Sequence, residues 1–422
     1  MVEILETNPK ATRRIGTYSV CLETEFAIGK GSDGTTVYIG LSDDGIEVAV
    51  KSIPLNICKE LGPNEKEILN CSNVKKEQHI VNYRFYTDSV GSTHGYLVLD
   101  LHEKSLKDYV KERSKEELTR NGPNIIRQIL YGLQALHCGE EEILHRDLKP
   151  SNILVSSQGE MLLADFGISR KLREGQTTYR SGQQGTENWI AVESLPVDDS
   201  DDELSRENSY VRYKKQSDIQ VTGMLFFYIL TKGEHPYGKL NCRRFNLSEG
   251  KPASLVKLGD PVAKDLLGWM LQHDPKDRPG VQQCLKHPYL QTDDEQFYFV
   301  TRVGNEPEIK MNDVTSLVVR QLNGHPSLLQ ASWKTKIDPE VMLYLSGHRA
   351  YSDDTADLLR LIRNTAEHWH DTPAPPTTVQ LKVGKPRDYF LMLFPALPVV
   401  LHGIIRNNSN WSKRDQIKQF FI

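Results

Sequence analysis

Between Leu144 and Gly167 the chain collects groups suited to moving a phosphoryl group. The run L-H-R-D-L-K-P-S-N-I-L-V is followed by A-D-F-G, with Asp165 thirteen residues after Asn152. Such a transfer depends on positioning and charge stabilisation more than on covalent help, so charged groups at fixed spacing are its expected signature. Asp147 is suited to accept the proton of an attacking hydroxyl and Lys149 to neutralise the moving phosphoryl. Asn152 and Asp165 are suited to hold Mg²⁺.

Several elements must position these groups. Ile153-Leu154-Val155 and Met161-Leu162-Leu163 read as a hairpin around Ser157-Gln158-Gly159, which brings the three acidic and amide groups together. Upstream, Gly29-Lys30-Gly31-Ser32-Asp33-Gly34 lies between two apolar runs and reads as a strand–turn–strand. Its amides, with no Cβ in the way, can lie against phosphates. A lone glycine pattern of this kind is weak, but Val48-Ala49-Val50-Lys51 follows at a telling interval. Together these motifs closely resemble the catalytic, metal and nucleotide loops of protein kinases. The resemblance implies an ATP or ADP site with Mg²⁺, formed by Gly29, Gly31, Gly34, Val37, Ala49 and Lys51. A helix carboxylate within Asn64–Asn70 should pair with Lys51. The spacing to His79-Ile80-Val81 favours Glu67 over Glu65. Tyr96-Leu97-Val98-Leu99 reads as a buried strand leading to a hinge at Asp100-Leu101-His102, whose backbone would meet adenine.

The segment after Gly167 is rich in arginine and hydroxyls, Thr177-Thr178-Tyr179-Arg180-Ser181 among them. Phosphorylated hydroxyls there would pair with Arg146 or neighbouring bases and order the loop. Val192 stands where kinases carry proline, but Glu193 can still pair with Arg278. Asp198 to Asn208 is acidic enough to read as a disordered loop. Ser217 to Leu230 is apolar on nearly all sides and reads as a central buried helix. His287-Pro288-Tyr289 ends the kinase part near residue 290.

A chain of 422 residues suggests two or three domains. The net charge of −4 argues against a generally basic nucleic-acid binder. Six scattered cysteines without a C-x-x-C pair read as reduced thiols, hence a cytoplasmic setting. No signal peptide opens the chain, and the apolar run Phe390 to Ile405 is too short to span a bilayer and reads as core.

Helical patterns fill the remaining part, at Val314 to Leu322, Pro339 to Leu345, Thr355 to His368 and Asp388 to Arg406. In the third, Leu358, Leu359, Ile362 and Ala366 form an apolar stripe. Arg360, Asn364 and His368 share the other face, with Arg363 and Glu367 beside them. Taken alone, that row reads as a solvated face with a surface ion pair.

Four stretches change that reading: R-V-G-N-E-P-E-I-K (Arg302 to Lys310), W-K-T-K-I-D (Trp333 to Asp338), Y-S-D-D-T-A-D-L-L-R-L-I-R-N-T-A-E-H (Tyr351 to His368) and L-K-V-G-K-P-R-D-Y-F (Leu381 to Phe390). They resemble the KEN nucleases, the family of ribonuclease L and the inositol-requiring kinase–endoribonucleases. The likeness runs over about residues 18 to 410. It implies an RNA substrate and, by motif match, catalytic roles for Tyr351, Arg363, Asn364 and His368, with Asp357 and Trp333 in support. The chemistry suits these residues. His368 can serve as general acid, Arg363 offers a donor fork to phosphate, Asn364 can orient it and Tyr351 can hold the 2′-OH. From Asp294 onward there are 15 basic against 14 acidic residues, so one subunit should grip RNA weakly. Self-association into a dimer or higher oligomer is therefore expected. With no ankyrin repeats, lumenal sensor or membrane segment here, an upstream sensor domain or protein outside this chain is expected too.

The expected fold class is α+β, a bilobal protein-kinase fold followed by an all-α KEN ribonuclease domain. A flexible lead-in should cover 1–18, the kinase domain 19–290 and the ribonuclease domain 293–422. The expected function is a self-phosphorylating serine/threonine kinase fused to a metal-independent endoribonuclease that works when dimeric. The alternative is a kinase whose C-terminal module only dimerises.

Overall fold

The computed structural model describes residues 12–421 apart from 32–33, 89–92, 183, 197–210, 329–331 and 348. The acidic loop expected at Asp198 to Asn208 lies outside the described residues. The chain divides into two compact units, Met1–Lys257 with Trp269–Val281, and Leu258–Gly268 with Gln282–Ile422.

The first unit begins with an antiparallel sheet in the order β1-β2-β4-β5-β7-β6, with β3 also paired to β4. The strands are β1 (Thr12–Ile15), β2 (Tyr18–Cys21), β3 (Ala27–Lys30), β4 (Thr36–Ser42), β5 (Glu47–Pro54), β6 (Tyr83–Thr87) and β7 (His94–Asp100). The lead-in expected to be flexible up to residue 18 is corrected from Thr12 onward, where it pairs with β2 from Thr12↔Cys21 to Ile15↔Tyr18. The cause is burial. Ile15 joins a cluster with Val20, Val48, Val50, Tyr96 and Val98, and Arg13 Nη1 donates to Tyr96 Oη at 2.9 Å. Gly16, at φ 61°, makes the tight turn between the two strands.

Below the sheet, the helix Leu55–Leu69 buries Cys58, Gly62, Glu65, Ile68 and Leu69 along one face. The helix Lys115–His137 starts on a capping box formed by Ser114 and Glu117. The apolar run expected to form a central helix does so at Lys215–Leu230, with nearly every side chain buried. The expected hairpin is present, Ile153–Val155 pairing Met161–Leu163 in the register Leu154↔Leu162. Gly159, at φ 84°, provides its left-handed turn residue.

The second unit contains helices and loops, with no strand among its described residues. Its core joins Phe299, Val303, Val318, Leu322, Val341, Leu359, Phe390, Leu401 and Phe420 with further apolar neighbours. The helix expected at Val314 begins at Leu317 instead, and Val314 stays 62% exposed. The helix expected over Asp388 to Arg406 is two, Pro386–Leu393 and Leu397–Arg406, bent by 79°. Pro395 and Pro398 account for the break, since proline lacks the amide that a helix interior needs. Among the described residues no single helix is long and apolar enough to cross a membrane. His287, expected to end the kinase part, belongs to the second of these compact units. Its Nε2 lies 2.9 Å from Asp265 Oδ2, and Arg406 Nη2 donates to Asp265 Oδ1 at 3.1 Å.

Candidate functional site

Two separate groups of functional side chains emerge, one in each unit. In the first, β5 carries Lys51 and pairs it across the sheet with Val37 and Leu97. Lys51 Nζ sits 2.7 Å from Glu65 Oε2 and 2.7 Å from Asp165 Oδ1. Burial works to lower the ammonium's pKa, yet Asp165 and Glu65 together hold it above the ordinary lysine range. Burial likewise opposes the Asp165 charge, and Lys51 outweighs it, holding that carboxyl below its usual range.

The partner of Lys51 is thus Glu65, and the expectation of Glu67 is corrected. Two residues turn a helix by about 200°, so the two glutamates cannot share a face. Glu65 lies on the buried row with Cys58, Gly62 and Leu69. Glu67 is 66% exposed and pairs with Lys171 at 2.9 Å.

Glu65 and its neighbour Asn64 tie this helix to the D-F-G stretch. Glu65 Oε1 accepts from the Phe166 N–H at 3.2 Å. Asn64 Nδ2 donates to the carbonyls of Phe166, Gly167 and Ser169 at 3.0–3.1 Å. Asp165 itself holds φ 66°, a left-handed conformation that these contacts sustain.

The catalytic loop is braced from beneath by Asp218 of the buried helix. Its carboxylate accepts from the His145 and Arg146 amides at 2.9 and 3.1 Å and pairs with His137. Asn152 Nδ2 donates to Asp147 O and Asp147 Oδ2, both at 2.8 Å. Lys149 Nζ donates to Asp147 Oδ2 at 2.6 Å and to Thr186 Oγ1 at 2.8 Å, while Thr186 Oγ1 donates to Asp147 Oδ1 at 2.8 Å. Asp147, Lys149, Asn152 and Thr186 therefore form one network. Among the described residues, Asn152 Oδ1 and Asp165 Oδ2 remain as acceptors, a donor pair that fits a hard cation with oxygen ligands.

Around the rest of the nucleotide groove, Gly29 and Val37 face each other across β3 and β4. Gly31 N–H donates to Thr35 O at 2.8 Å, and Gly34 turns at φ 77°, while Ser32 and Asp33 lie outside the described residues. Ala49 is buried on β5. At the hinge the Asp100 carboxylate is taken by Arg84 and by Asn82. Burial lowers the His102 imidazole pKa.

The arginine-rich segment closes back on the catalytic loop. Arg146 lies over the rings of Tyr179 and Tyr213, 4.9 and 4.1 Å from their centroids, and donates to Ser181 Oγ at 2.7 Å. The pairing expected of Glu193 is present, with Arg278 Nη1 and Nη2 donating to its two oxygens at 2.8 and 2.9 Å.

In the second unit the helix Thr355–His368 and the loop before it line a cleft of about 480 Å³, with Tyr344, Arg349, Tyr351, Arg363, Asn364 and His368 on its walls. The structure brings together all four residues singled out from the motif. Arg363 Nη1 donates to Asn364 Oδ1 at 2.8 Å, and Asn364 Nδ2 donates to Tyr351 Oη at 3.0 Å. Tyr351 is buried but for its edge, and Arg360 lies over its ring at 5.8 Å. Asp357 takes Arg360 at 2.9 Å and the Ser352 amide at 2.6 Å, fixing the loop that carries Tyr351. Trp333 is 4% exposed within the core. Ser332 beside it donates to Asp353 just ahead of the helix, at 2.5 Å. His368 ends the helix half in solvent, with Nδ1 2.8 Å from Asp371 Oδ2. That leaves Nε2 for a substrate.

Sequence reading missed Thr186, Asp218, Asn64 and Asp371. Among these, Asp218 carried a signal, as a charge inside an otherwise apolar helix.

Comparisons with known proteins find a match for each part of the chain. A family model described as protein kinase domain matches residues 22–290, and one described as ribonuclease 2-5A matches residues 296–421. Among curated proteins the chain is 30% identical over 420 residues to the serine/threonine-protein kinase/endoribonuclease IRE2 of Homo sapiens, covering 95% of this chain and 42% of that protein. It is 32% identical over 411 residues to the serine/threonine-protein kinase/endoribonuclease ire-1 of Caenorhabditis elegans, covering 93% and 40%. A third relative, the sensor for unfolded proteins in the ER ire1 of Schizosaccharomyces pombe, is 28% identical over 410 residues, covering 90% and 37%. The chain thus spans roughly two fifths of the length of these relatives.

Proposed function

Because the chain belongs to the protein-kinase family and carries a ribonuclease 2-5A domain behind the kinase, we propose that it couples two activities. One is a self-phosphorylating serine/threonine kinase that binds ATP or ADP. The other is an endoribonuclease that cuts RNA by internal transesterification without a metal. The observation that carries the second activity is the convergence of Tyr351, Arg363, Asn364 and His368 on one cleft.

On the kinase side, Lys51 meets the α- and β-phosphates and the backbone of Asp100–His102 meets adenine. Asn152 and Asp165 would hold Mg²⁺, which when bound offsets phosphate charge. Asp147 accepts the proton of the attacking hydroxyl while Lys149, bonded to it, faces the transferred group. Ser181, already hydrogen-bonded to Arg146, is the activation-segment hydroxyl best placed to gain from phosphorylation.

On the RNA side, Tyr351 accepts from Asn364 and so keeps its own O–H for the ribose 2′-oxygen. That oxygen gives up its proton to solvent water and attacks the adjacent phosphorus while the bond to the 5′-oxygen breaks. Arg363 neutralises charge gathering on the phosphorane, and His368 Nε2 gives a proton to the leaving 5′-oxygen. The products are a 2′,3′-cyclic phosphate and a 5′-hydroxyl. All six cysteines are unbridged, which supports a reducing, cytoplasmic setting. RNA and a second copy of the chain are the partners this reading requires.

The test is incubation of purified protein with a labelled stem-loop and a uridine-rich strand, in EDTA, with and without ADP. Cleavage giving cyclic-phosphate ends is expected. Products with 5′-phosphate ends would refute the transesterification mechanism, and no cleavage even when assembly is forced would leave the C-terminal unit as a dimerisation module.

A further inference from the structure

Between the helices Asp293–Gly304 and Pro307–Met311 the chain turns through Gly304, Asn305 and Glu306, directly beside Arg363. The approach is close. A Cβ on Gly304 would come within 2.8 Å of Leu359 O and 2.9 Å of Arg363 Cβ, so only glycine fits without a shift. Held there, Asn305 reaches the guanidinium. Its Oδ1 accepts from Arg363 Nε at 2.7 Å, and its Nδ2 donates to Glu367 Oε1 at 3.0 Å. Glu367 Oε2 in turn lies 2.7 Å from Arg363 Nη2. Together with the bond from Nη1 to Asn364, these contacts hold every nitrogen of the guanidinium.

The turn is anchored from behind as well. Glu306, 6% exposed, takes Arg414 Nη1 at 2.5 Å. Glu308 accepts from both Arg414 Nη1 and Nη2, at 2.9 and 2.5 Å. The stretch around Asn305 is therefore a rigid post between the C-terminal segment and the cleft. A lone pair such as Arg363–Glu367 on a helix surface contributes little order by itself. Asn305 joins both members and converts that pair into a clamp. An arginine fixed before substrate arrives does not have to give up its rotamer freedom in the transition state.

We propose that Asn305, through its bonds to Arg363 and Glu367, is a positioning residue for RNA cleavage. It touches no reacting atom and aims the Arg363 fork at the scissile phosphate. The backbone amide of Asn305 already caps its helix, donating to Thr301 O and Arg302 O, so that cap does not require the side chain. This role rests on the ribonuclease reading given above.

The experiment is a double-mutant cycle on the full chain, with Asn305→Ala, Arg363→Ala and both together. Single-turnover cleavage of the labelled stem-loop is the readout, with thermal melting beside it. Asn305→Ala should lower the saturating single-turnover rate about tenfold with the half-saturating RNA concentration little changed, through loss of its bonds to Arg363 and Glu367. In the Arg363→Ala background it should change the rate by less than about twofold, because its effect passes through Arg363. Should Asn305→Ala melt early, Asn305→Asp serves instead. It still accepts from Arg363 Nε but cannot donate to Glu367, and it should retain more activity than alanine. Equal losses in both backgrounds, or parent-level cleavage by Asn305→Ala, overturn the positioning role and leave the nuclease reading intact. A parent protein that cuts no RNA, or Arg363→Ala cutting at the parent rate, overturns both.

Discussion

Glu65 Oε2 lies 2.7 Å from Lys51 Nζ while its other oxygen accepts the Phe166 amide at 3.2 Å. One buried carboxylate therefore links Lys51, the helix Leu55–Leu69 and the D-F-G stretch. Its neighbour two residues on does none of this, since Glu67 faces Lys171 at the surface. Glu65→Gln keeps the shape but removes the charge that holds Lys51. Self-phosphorylation should fall roughly ten- to a hundredfold, the scale of losing a charge-assisted bond at the phosphates. Glu67→Gln should stay within about twofold, as expected of an exposed pair. Radiolabel incorporation at matched ATP decides between them. Equal losses in the two variants would return the role to Glu67.

The helix Thr355–His368 was legible because its apolar stripe, acidic start and terminal histidine all lie within fourteen consecutive residues. The catalytic hairpin was legible for the same reason. Glu65 was within reach too, since Cys58, Gly62, Glu65 and Leu69 repeat at helical spacing and mark a charge on a buried row. Motif spacing was followed instead, and it pointed two residues too far. Other features could not be read locally. Asn305 meets Arg363 across 58 positions, and Asn64 meets Ser169 across 105, so only the tertiary fold brings them together. The break at Pro395 was visible in the sequence, but helical patterning on both sides concealed it.

Separate catalytic groups should be separable by mutation. His368→Ala removes the proposed proton donor and should lower RNA cleavage at least about a hundredfold. It should leave nucleotide binding and self-phosphorylation unchanged, because none of the groups around Asp147 involves it. Asp147→Ala should abolish phosphorylation yet spare cleavage whenever nucleotide still binds. Gel assays of both activities on the same preparations check this. Parent-rate cleavage by His368→Ala would dismiss it as the general acid.

Asp265 gives a stability prediction with a definite sign. Burial opposes its charge, but hydrogen bonds from His287 and Arg406 outweigh that and hold its carboxyl well below the usual range. A carboxyl depressed in the folded state stabilises above its unfolded pKa of about 3.9, and that contribution is lost as pH falls through the folded value. Asp265→Asn leaves Arg406 facing a neutral amide and should destabilise the second unit by roughly 2 kcal/mol at pH 7, below the cost for a fully buried pair. Hydrogen exchange in Leu397–Arg406 reports it. The difference from the parent should persist at pH 5 and shrink only in strong acid. A difference already absent at pH 5 would contradict the assignment.

The last prediction concerns how nucleotide can govern RNA cleavage. Lys51 and His368 belong to different units, and neither the Lys51 network nor the Asp147 network includes a residue of the cleft. On the proposed reading nucleotide takes no direct part in the RNA chemistry. Its influence has to be a shift of population toward a state that binds it more tightly. Lys51, Glu65 and Asp165 already form one ion-paired group, and Asn64 ties the same helix to three carbonyls after Asp165. Phosphates seated on Lys51 would reinforce that closed arrangement and give a second copy a rigid surface to meet. On the proposed reading the C-terminal unit, with nearly balanced charge, would draw on such a second copy to grip RNA. ADP with Mg²⁺ should thus raise both the dimer fraction and the cleavage rate, and the rate should climb more steeply than linearly with protein concentration. Lys51→Ala should weaken both responses together, by a similar factor, because one equilibrium underlies them. Sedimentation velocity alongside single-turnover cleavage, across a dilution series, provides the check. A monomer that cuts RNA at the full rate, at concentrations where ADP changes nothing, would end the idea.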